Sequence, residues 1–308
     1  MKGIRQWHRY YLPATLLLLL VVLSVLNEHF LTVANFRNVL YQASVLAIVS
    51  IGMTFVIIGG GFDLSVGSLL ALAGSLAALV MSEVSFAVGL LGGLLTGILF
   101  GLANGLLVSK LLVSPFIATL GTLVVARGLA LAITGGATVA TVPEEFAYLG
   151  TGTVAGVPIA VLVTAAAFLV MLVLLRFTPF GLKVYAVGGN REAARLAGIK
   201  VDRVVTATYV ISGLLAAMGG LIVAARVRSG QPTVGVFMEL FAIAAVVLGG
   251  ASLRGGEGGL GGTILGVLLI GFLQNGLNLL DVHSYWQQVV VGVVFIGAAS
   301  LEVLRQRT

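Results

Sequence analysis

The sequence predicts an all-α polytopic membrane protein with about ten transmembrane helices, some of them short or broken. Of its 308 residues, 59% are hydrophobic and only 9% are charged, whereas a soluble domain carries about 25% charged residues. Apolar segments of membrane-spanning length, about 20 residues, follow one another along nearly the whole chain. A soluble fold of this size could not bury so much apolar surface, so residues 1–308 are treated as a single transmembrane domain.

Ten apolar segments are candidates for the spans. The first follows Lys2, Arg5 and Arg9 as a signal peptide would, but no small-x-small cleavage site comes directly after it, so we expect an uncleaved first helix. The eighth is short and glycines follow it, which favours a broken or re-entrant element. The segments lie near 12–30, 42–59, 64–82, 86–108, 115–135, 157–176, 204–225, 239–252, 260–280 and 285–302.

The distribution of basic residues predicts the orientation. If the N-terminus lies inside, 13 of the 17 Lys and Arg residues fall in inner segments, 3 fall in outer segments, and Arg127 lies within the fifth span. Cytoplasmic loops carry such an excess. We therefore expect both termini to be cytoplasmic. The net charge of +6 is attributed to the basic loops that set the orientation in the membrane, and not to nucleic-acid binding.

The longest basic stretch, residues 176–203, carries six basic and two acidic residues between two spans. The bias predicts a cytoplasmic loop. Within it, NREAARLAGI alternates apolar with charged residues, which is typical of a short amphipathic helix. Such a helix is well placed to dock a soluble partner, so the chain is expected to be a transport subunit driven by another protein.

Several kinds of chemistry are excluded or disfavoured by the sequence. Cysteine is absent and the three histidines lie far apart, so no metal site is expected. None of the phosphate-binding, zinc-protease or serine-hydrolase motifs occurs. We therefore expect no catalytic residues, and the energy for any uphill transport must come from another chain.

Two glycine-rich breaks lie at like positions in the two halves of the chain. GGFDLSVG at 60–67 follows the second span, and GGASLRGG at 249–256 follows the eighth. Interrupted helices at matching positions are a signature of transporters built from repeats. Glycine is also common in membrane helices in general, and the sequence leaves both interpretations open.

Two charged residues lie in apolar surroundings. Asp63 sits at a junction between two spans, where a carboxylate must be paired, capped or solvated. It is either an N-cap of the following helix or part of a translocation path or gate. Arg127 is either a structural ion pair or snorkelling side chain, or part of the same path, and its pairing with Asp63 is left open.

Uncharged polar residues in or near the spans suit the passage of a neutral hydroxylated solute. Gln274 and Asn278 share a helix face. Taken singly, each such residue is as well explained by a hydrogen bond between helices. As a set they favour a polar neutral solute over a proton relay, which needs carboxylates. The candidate residues for the path or gate are Asp63, Ser65, Ser68, Asn104, Thr119, Thr122, Arg127, Gln274, Asn275 and Asn278.

Arg226 and Arg228 lie on the predicted outer side, against the general charge bias. They are candidates for docking a binding protein, because charged rim contacts steer association. Headgroup contact or an ion pair with Glu239 is the alternative.

Three long motifs, and a fourth stretch that is similar in style, resemble those of the permease subunits of bacterial ABC importers for monosaccharides, the ribose, xylose and galactose group. The resemblance covers residues 37 to 300, nearly the whole chain. The motifs are GGGFDLSVGS (59–68), SPFIATLGTLVVARGLALAITGG (114–136), GLKVYAVGGNREAARLAGIKV (181–201) and VVLGGASLRGGEGGLGGTILG (246–266).

The resemblance implies the partners and the location. It implies a multi-pass permease in the bacterial cytoplasmic (inner) membrane and a path shared with a second permease subunit, identical or homologous. An ABC ATPase subunit would hold ATP and Mg, with no cofactor in this chain, and a periplasmic or lipid-anchored sugar-binding protein would deliver the solute. The coupling segment to the ATPase would comprise Asn190, Arg191, Glu192, Ala193, Ala194, Arg195 and Gly198.

Two function classes compete with a passive permease. One is a self-powered secondary transporter or channel, and the other is a membrane-embedded enzyme. Within the family, import of autoinducer-2 or of nucleosides is an alternative to that of a monosaccharide.

Overall fold

A computed structural model of the chain describes residues 2–140, 142–283, 285–290, 292–293 and 296–297. These residues form a bundle of helices with two short antiparallel strand pairs. The helices are α1 (Lys2–Leu26), α2 (Val33–Ile58), α3 (Val66–Glu83), α4 (Phe86–Ser109), α5 (Pro115–Thr134), α6 (Glu144–Thr151), α7 (Ile159–Phe177), α8 (Pro179–Gly189), α9 (Arg191–Leu196), α10 (Val201–Val227), α11 (Met238–Leu248) and α12 (Leu260–Leu279).

The strands are two residues long and lie in the connections. β1 (Val139–Ala140) pairs antiparallel with β4 (Ser229–Gly230), and β2 (Thr153–Val154) pairs antiparallel with β3 (Val157–Pro158). The β1–β4 pair ties the α5–α6 connection to the segment that follows α10.

Seven of the described helices are long and apolar enough to cross a membrane: α2, α3, α4, α5, α7, α10 and α12. The apolar part of α1 and the whole of α11 are shorter. The tenth predicted span, 285–302, is helical at 285–290, and most of the rest lies outside the described residues. The protein is thus an all-α multi-pass membrane protein.

The central helix is α2, which is buried along most of its length, and Ile48, Ile51, Met53 and Phe55 have no exposed surface. α10 packs against α2, α3 and α4. The outer helices α4, α5 and α7 bury only about a fifth of their apolar windows. They expose Leu, Val, Ile and Phe side chains, as expected of a surface that faces lipid.

For the first nine predicted spans, helix boundaries agree to within about three residues, except at three spans. α1 begins at Lys2, ten residues before the predicted 12, and ends at Leu26, four residues before the predicted 30. α11 ends at Leu248, four residues before the predicted 252. α2 begins at Val33, nine residues before the predicted 42. Thr32 caps it by accepting a hydrogen bond from the Asn35 backbone N–H at 3.3 Å. The polar residues between Val33 and Gln42 lower the hydropathy of this segment, so the hydropathy pattern did not predict the first part of α2.

Candidate functional site

A cluster of buried polar side chains lies where the α2–α3 connection meets α4, α5 and α10. The Asp63 carboxylate accepts hydrogen bonds from the Ser65 hydroxyl at 2.6 Å, the Ser65 backbone N–H at 3.0 Å and the Ser212 hydroxyl at 3.0 Å. Asn104 donates to the Ser65 hydroxyl at 2.9 Å and, at 3.5 Å, to Asp63. The Asn104 carbonyl accepts from Thr122 at 2.7 Å. We call these five residues the Asp63 cluster.

Burial explains why the cluster needs so many hydrogen bonds. Asp63, Ser65, Asn104 and Ser212 have no exposed surface. A carboxylate withdrawn from water is stable only where several donors replace its hydration. The cluster therefore binds the extended α2–α3 connection to α4 and α10.

Asp63 is not the N-cap of α3. The N-cap position belongs to Ser65, whose side chain makes no capping hydrogen bond. Asp63 lies two residues earlier and accepts from the Ser65 backbone N–H in a tight local turn. The prediction that Asp63 is the N-cap is therefore wrong. Helix α3 starts at Val66, two residues later than the predicted start at 64, so Ser65 occupies the N-cap position.

Arg127 contacts the backbone of another broken segment and not Asp63. Its guanidinium donates to the Pro232 carbonyl at 2.5 Å and to the Val234 carbonyl at 2.8 Å. Segment 229–237 precedes α11 and has little regular structure, so its carbonyl groups need donors from elsewhere. Arg127 supplies two of these donors, a structural contact that is neither the expected ion pair nor a snorkelling side chain.

The first turns of α3 and α11 meet inside the bundle. A methyl group on Gly67 would overlap the Gly235 carbonyl oxygen and the Glu239 carboxylate. The two helices that follow the interrupted segments, α3 and α11, thus begin side by side. This arrangement is typical of transporters with broken helices.

The polar candidates on α12 lie apart from the Asp63 cluster. Asn275 and Asn35 exchange amide hydrogen bonds at 2.9 and 2.7 Å and are both buried. Asn278 is exposed and accepts from Gln287 at 2.9 Å. These two residues make the contacts expected of structural hydrogen bonds, whereas Gln274 lines a cavity.

Two further candidates lie within helices. Thr119 is buried and donates to the Pro115 carbonyl of its own helix at 2.7 Å. Ser68 is buried in the first turn of α3. Neither belongs to the Asp63 cluster.

The cavity beside Gln274 lies between α2, α10, α11 and α12 and measures about 400 Å³. Tyr41, Gln42, Arg226, Phe241 and Gln274 line it together with apolar residues. The Arg226 guanidinium lies over the Tyr41 ring, 3.7 Å from its centre. The alternative of an Arg226–Glu239 ion pair is wrong, because no carboxylate of the described residues lies within 4.0 Å of the Arg226 guanidinium.

Arg228 is the cationic partner of a carboxylate on the same surface. It donates to Glu144 of α6 at 3.0 Å, and both side chains are exposed. The two arginines predicted to act together therefore occupy different environments.

The predicted amphipathic helix is α9, and α8 precedes it directly. Asn190 caps α9 by accepting from the Ala193 backbone N–H at 2.9 Å. Ala194 is buried against the bundle, while Leu196 is 88% exposed. Glu192 and Arg195 form an exposed ion pair at 3.1 Å, and Gly198 takes a positive φ of 83° after the helix. α9 thus presents charged and apolar side chains on the side that the charge bias predicts to be cytoplasmic.

Glycines connect this surface to the ends of two membrane elements. A methyl group on Gly188 of α8 would overlap the Ile58 carbonyl, which itself accepts from the Gly256 backbone N–H at 2.8 Å. A methyl group on Gly255 would come within 2.8 Å of Gly60 Cα. We call Gly60, Gly188, Gly255 and Gly256 the glycine junction.

Side chains strengthen the same contact. Tyr185 of α8 donates to the Gly258 carbonyl at 2.9 Å, and burial raises the pKa of its hydroxyl, so it remains a neutral donor. Arg191 reaches the Gly60 carbonyl at 3.5 Å. Helices α8 and α9 are therefore attached to the end of α2 and to the connection before α12.

The two glycine-rich breaks share their geometry. α2 and α11 end with the same three backbone hydrogen bonds, and Gly60 and Gly250 take positive φ values of 81° and 90°. In each break a side-chain oxygen then accepts from the backbone N–H two residues later: Asp63 from Ser65 at 3.0 Å, and Ser252 from Arg254 at 3.3 Å. The likeness seen in sequence is thus also a likeness of backbone structure.

Sequence reasoning missed Ser212, Tyr41 and Gln42. Ser212 is one of several hydroxyl residues in the long apolar helix α10, and only its distance to Asp63 reveals its role. Tyr41 and Gln42 fall at the edge of the predicted second span, where polar residues are expected at a boundary.

Comparison with known proteins identifies the family. The family model for the permease component of branched-chain amino acid transport systems matches residues 35–299. The chain is 48% identical to the ribose import permease protein RbsC of Bacillus subtilis over 290 residues, covering 93% of this chain and 90% of that protein. It is 44% identical to RbsC of Haemophilus influenzae, with coverages of 92% and 89%.

A further relative has a different sugar in its name. The chain is 38% identical to the L-arabinose transport system permease protein AraH of Escherichia coli over 304 residues, covering 98% of this chain and 93% of that protein. No solved structure matches the chain. The chain therefore belongs to the family of transport-system permease components that includes the ribose and L-arabinose permeases.

Proposed function

We propose that this chain is the permease subunit of an ATP-driven, binding-protein-dependent importer of a monosaccharide in the bacterial cytoplasmic membrane. The observation that carries the proposal is the 48% identity to a ribose import permease over 93% of the chain.

The energy source is proposed to be a separate ABC ATPase subunit that holds ATP and Mg. The chain contains no phosphate-binding loop. Helix α9, with its exposed Leu196 and its Glu192–Arg195 pair, is proposed as the surface that the ATPase contacts. The glycine junction would then transmit movement of α8 and α9 to α2 and to the connection before α12.

The solute is proposed to be neutral and polar. The Asp63 cluster offers hydroxyl and amide groups from four elements, and its one carboxylate is already bound by several donors. Such groups can exchange hydrogen bonds with sugar hydroxyls when the helices move. A periplasmic or lipid-anchored binding protein would deliver the sugar, and a second permease subunit would complete the path.

Uptake measurements in cells test the proposal. A bacterial host without its own pentose and allose importers would express the chain with the co-encoded ATPase and binding protein, and labelled ribose, arabinose and allose would be supplied. Accumulation of one sugar that is lost when either partner is omitted supports the proposal. Accumulation by the chain alone would favour the self-powered alternative, and no accumulation of any sugar would reject the monosaccharide assignment.

A further inference from the structure

We propose that the cavity between α2, α10, α11 and α12 is a binding subsite for a neutral monosaccharide on the outer side of the permease. The inference rests on the proposed function and adds to it a location and a set of contacts. Three polar side chains define the subsite: Gln42 of α2, Arg226 of α10 and Gln274 of α12, all of which line the cavity.

The size of the cavity fits a small ligand. Its volume of about 400 Å³ lies in the range of about 300–1,000 Å³ that is usual for small-molecule sites. A single sugar ring fits with room for water. An apolar wall with a few polar groups is also the usual composition of such sites.

The polar groups have hydrogen-bonding capacity that the protein does not use. Among the described residues, no hydrogen bond joins the Gln42 or Gln274 amide to another group, and no carboxylate pairs with Arg226. Each amide offers two N–H donors and one carbonyl acceptor, and the guanidinium offers only donors. Hydroxyl groups both donate and accept, so a sugar can satisfy all three side chains at once.

The position of Arg226 is held by aromatic contact. Its guanidinium lies 3.7 Å from the centre of the Tyr41 ring, and the Tyr41 hydroxyl donates to the Ile222 carbonyl at 3.2 Å. The ring is therefore attached to α10, and a cation–π contact holds the guanidinium over it. A preorganised donor of this kind loses little entropy when it binds a ligand.

The chemistry of the lining separates a sugar from other occupants. A lipid chain would displace water from the exposed Gln42 amide and the partly buried Gln274 amide without offering hydrogen bonds in return, which costs free energy. An anion would use Arg226 alone and leave both glutamines unsatisfied. The location also fits in the orientation that the charge bias predicts, because the C-terminal end of α10, with Arg226, and the N-terminal third of α2, with Tyr41, then lie on the outer side. A sugar delivered from outside would meet this cavity before the Asp63 cluster.

The natural absence of cysteine allows a direct test by thiol protection. Gln42→Cys and Gln274→Cys each introduce a single thiol into the purified chain in nanodiscs, and Arg37→Cys places one on the outer side away from the cavity. Ribose, arabinose or allose at millimolar concentration should slow the reaction of a methanethiosulfonate reagent at positions 42 and 274 and leave position 37 unchanged. Inorganic phosphate should give no protection.

Three outcomes of this test would overturn the subsite. They are a reaction rate that no sugar changes, protection by phosphate instead of sugar, and a thiol at 274 that no reagent reaches, since the cavity would then be closed to water. The test does not depend on transport. Absence of uptake by the wild-type importer would reject the proposed function, whereas unprotected thiols in an active importer would reject only the subsite.

Conservative variants test the subsite during transport. Gln42→Met and Gln274→Met keep the shape of the side chain and remove its hydrogen bonds. Each should lower uptake at saturating binding protein by about threefold to tenfold, as expected for the loss of one or two hydrogen bonds, without lowering the thermal stability. The matched control Gln231→Met lies outside the cavity and should transport as wild type. Normal uptake by both cavity variants would contradict the subsite.

Discussion

The Asp63 carboxylate accepts a hydrogen bond from the Ser212 hydroxyl of α10 at 3.0 Å, and neither residue has any exposed surface. This contact joins the connection between α2 and α3 to a helix more than a hundred residues away in sequence. The α2–α3 connection is therefore held by buried hydrogen bonds as well as by apolar packing.

Substitution of Asp63 should cost more stability than the loss of a helix cap, which is about 1 kcal/mol. Asp63→Ala leaves the Ser65 and Ser212 donors buried without an acceptor, and each such donor costs about 1–3 kcal/mol. Asp63→Asn keeps one acceptor oxygen and should be milder. Thermal unfolding in detergent and uptake in cells measure the two effects, with the exposed Asp202→Asn as control. Wild-type stability and uptake in both variants would show that Asp63 has no essential role.

A methyl group at the glycine junction should be harmful at one position and harmless at the next. Gly188→Ala places its methyl group against the Ile58 carbonyl, whereas Gly189→Ala meets no atom within 4 Å. Overpacking of this kind costs about 1–3 kcal/mol. We expect Gly188→Ala to lower the Tm and uptake, and Gly189→Ala to match wild type. Equal Tm and equal uptake for the two variants would show that the close approach of Gly188 to the Ile58 carbonyl matters neither for stability nor for transport.

Charge reversal in α9 should uncouple transport without preventing membrane insertion. Glu192→Arg should abolish uptake and the stimulation of ATPase activity, because the exposed side chain is expected to face the ATPase. The double variant Glu192→Arg with Arg195→Glu restores the internal pair in reverse. If the double variant remains inactive, the charges serve the partner. Recovery of uptake would show that the pair only stabilises α9, and unchanged coupling in the single variant would reject the assignment of this segment. Replacement of Ala194 by a bulky residue should also abolish uptake, but its burial makes misfolding a competing cause.

Arg228 should contribute to binding-protein docking more than Arg226 does. Both arginines are exposed, but Arg226 lies over the Tyr41 ring, whereas Arg228 pairs with the exposed Glu144. An exposed ion pair can exchange partners with a docking protein. Arg228→Glu should raise the half-saturating concentration of binding protein several-fold at low salt and less at high salt, because salt screens exposed charges. Arg37→Glu is the control on the same side. A concentration dependence that is unchanged at low salt would exclude a docking role for Arg228.

Hydropathy was sufficient to predict most of the bundle, because membrane spans are selected by length and apolarity. It placed the ends of α4 and α5 within one residue. It could not place the start of α2, where Asn35 is polar but buried by its amide pair with Asn275. Helix α8 also escaped notice, although Thr178 followed by Pro179 is a recognisable helix start. The prediction for this loop was based on the charged residues that follow α8, so α8 itself was not predicted.

The candidate site could be predicted only in part. Asp63, Asn104 and Thr122 were singled out as polar residues in apolar surroundings, and the structure brings them together. Their mutual contacts depend on how four helices pack, which no local pattern encodes. Gln274 and Asn275 are adjacent in sequence and yet one lines a cavity while the other is buried in an amide pair. Only the rotation of α12 against its neighbours decides between these environments.

The measurement that tests the central claim most directly is sugar accumulation in proteoliposomes. The chain would be reconstituted with its co-encoded ATPase, with ATP and Mg on the ATPase side and binding protein loaded with labelled sugar on the other. The account predicts accumulation above the external concentration that requires all three proteins and hydrolysable ATP. Accumulation without the ATPase, or equilibration that ATP does not change, would contradict the assignment of this chain as a passive permease subunit.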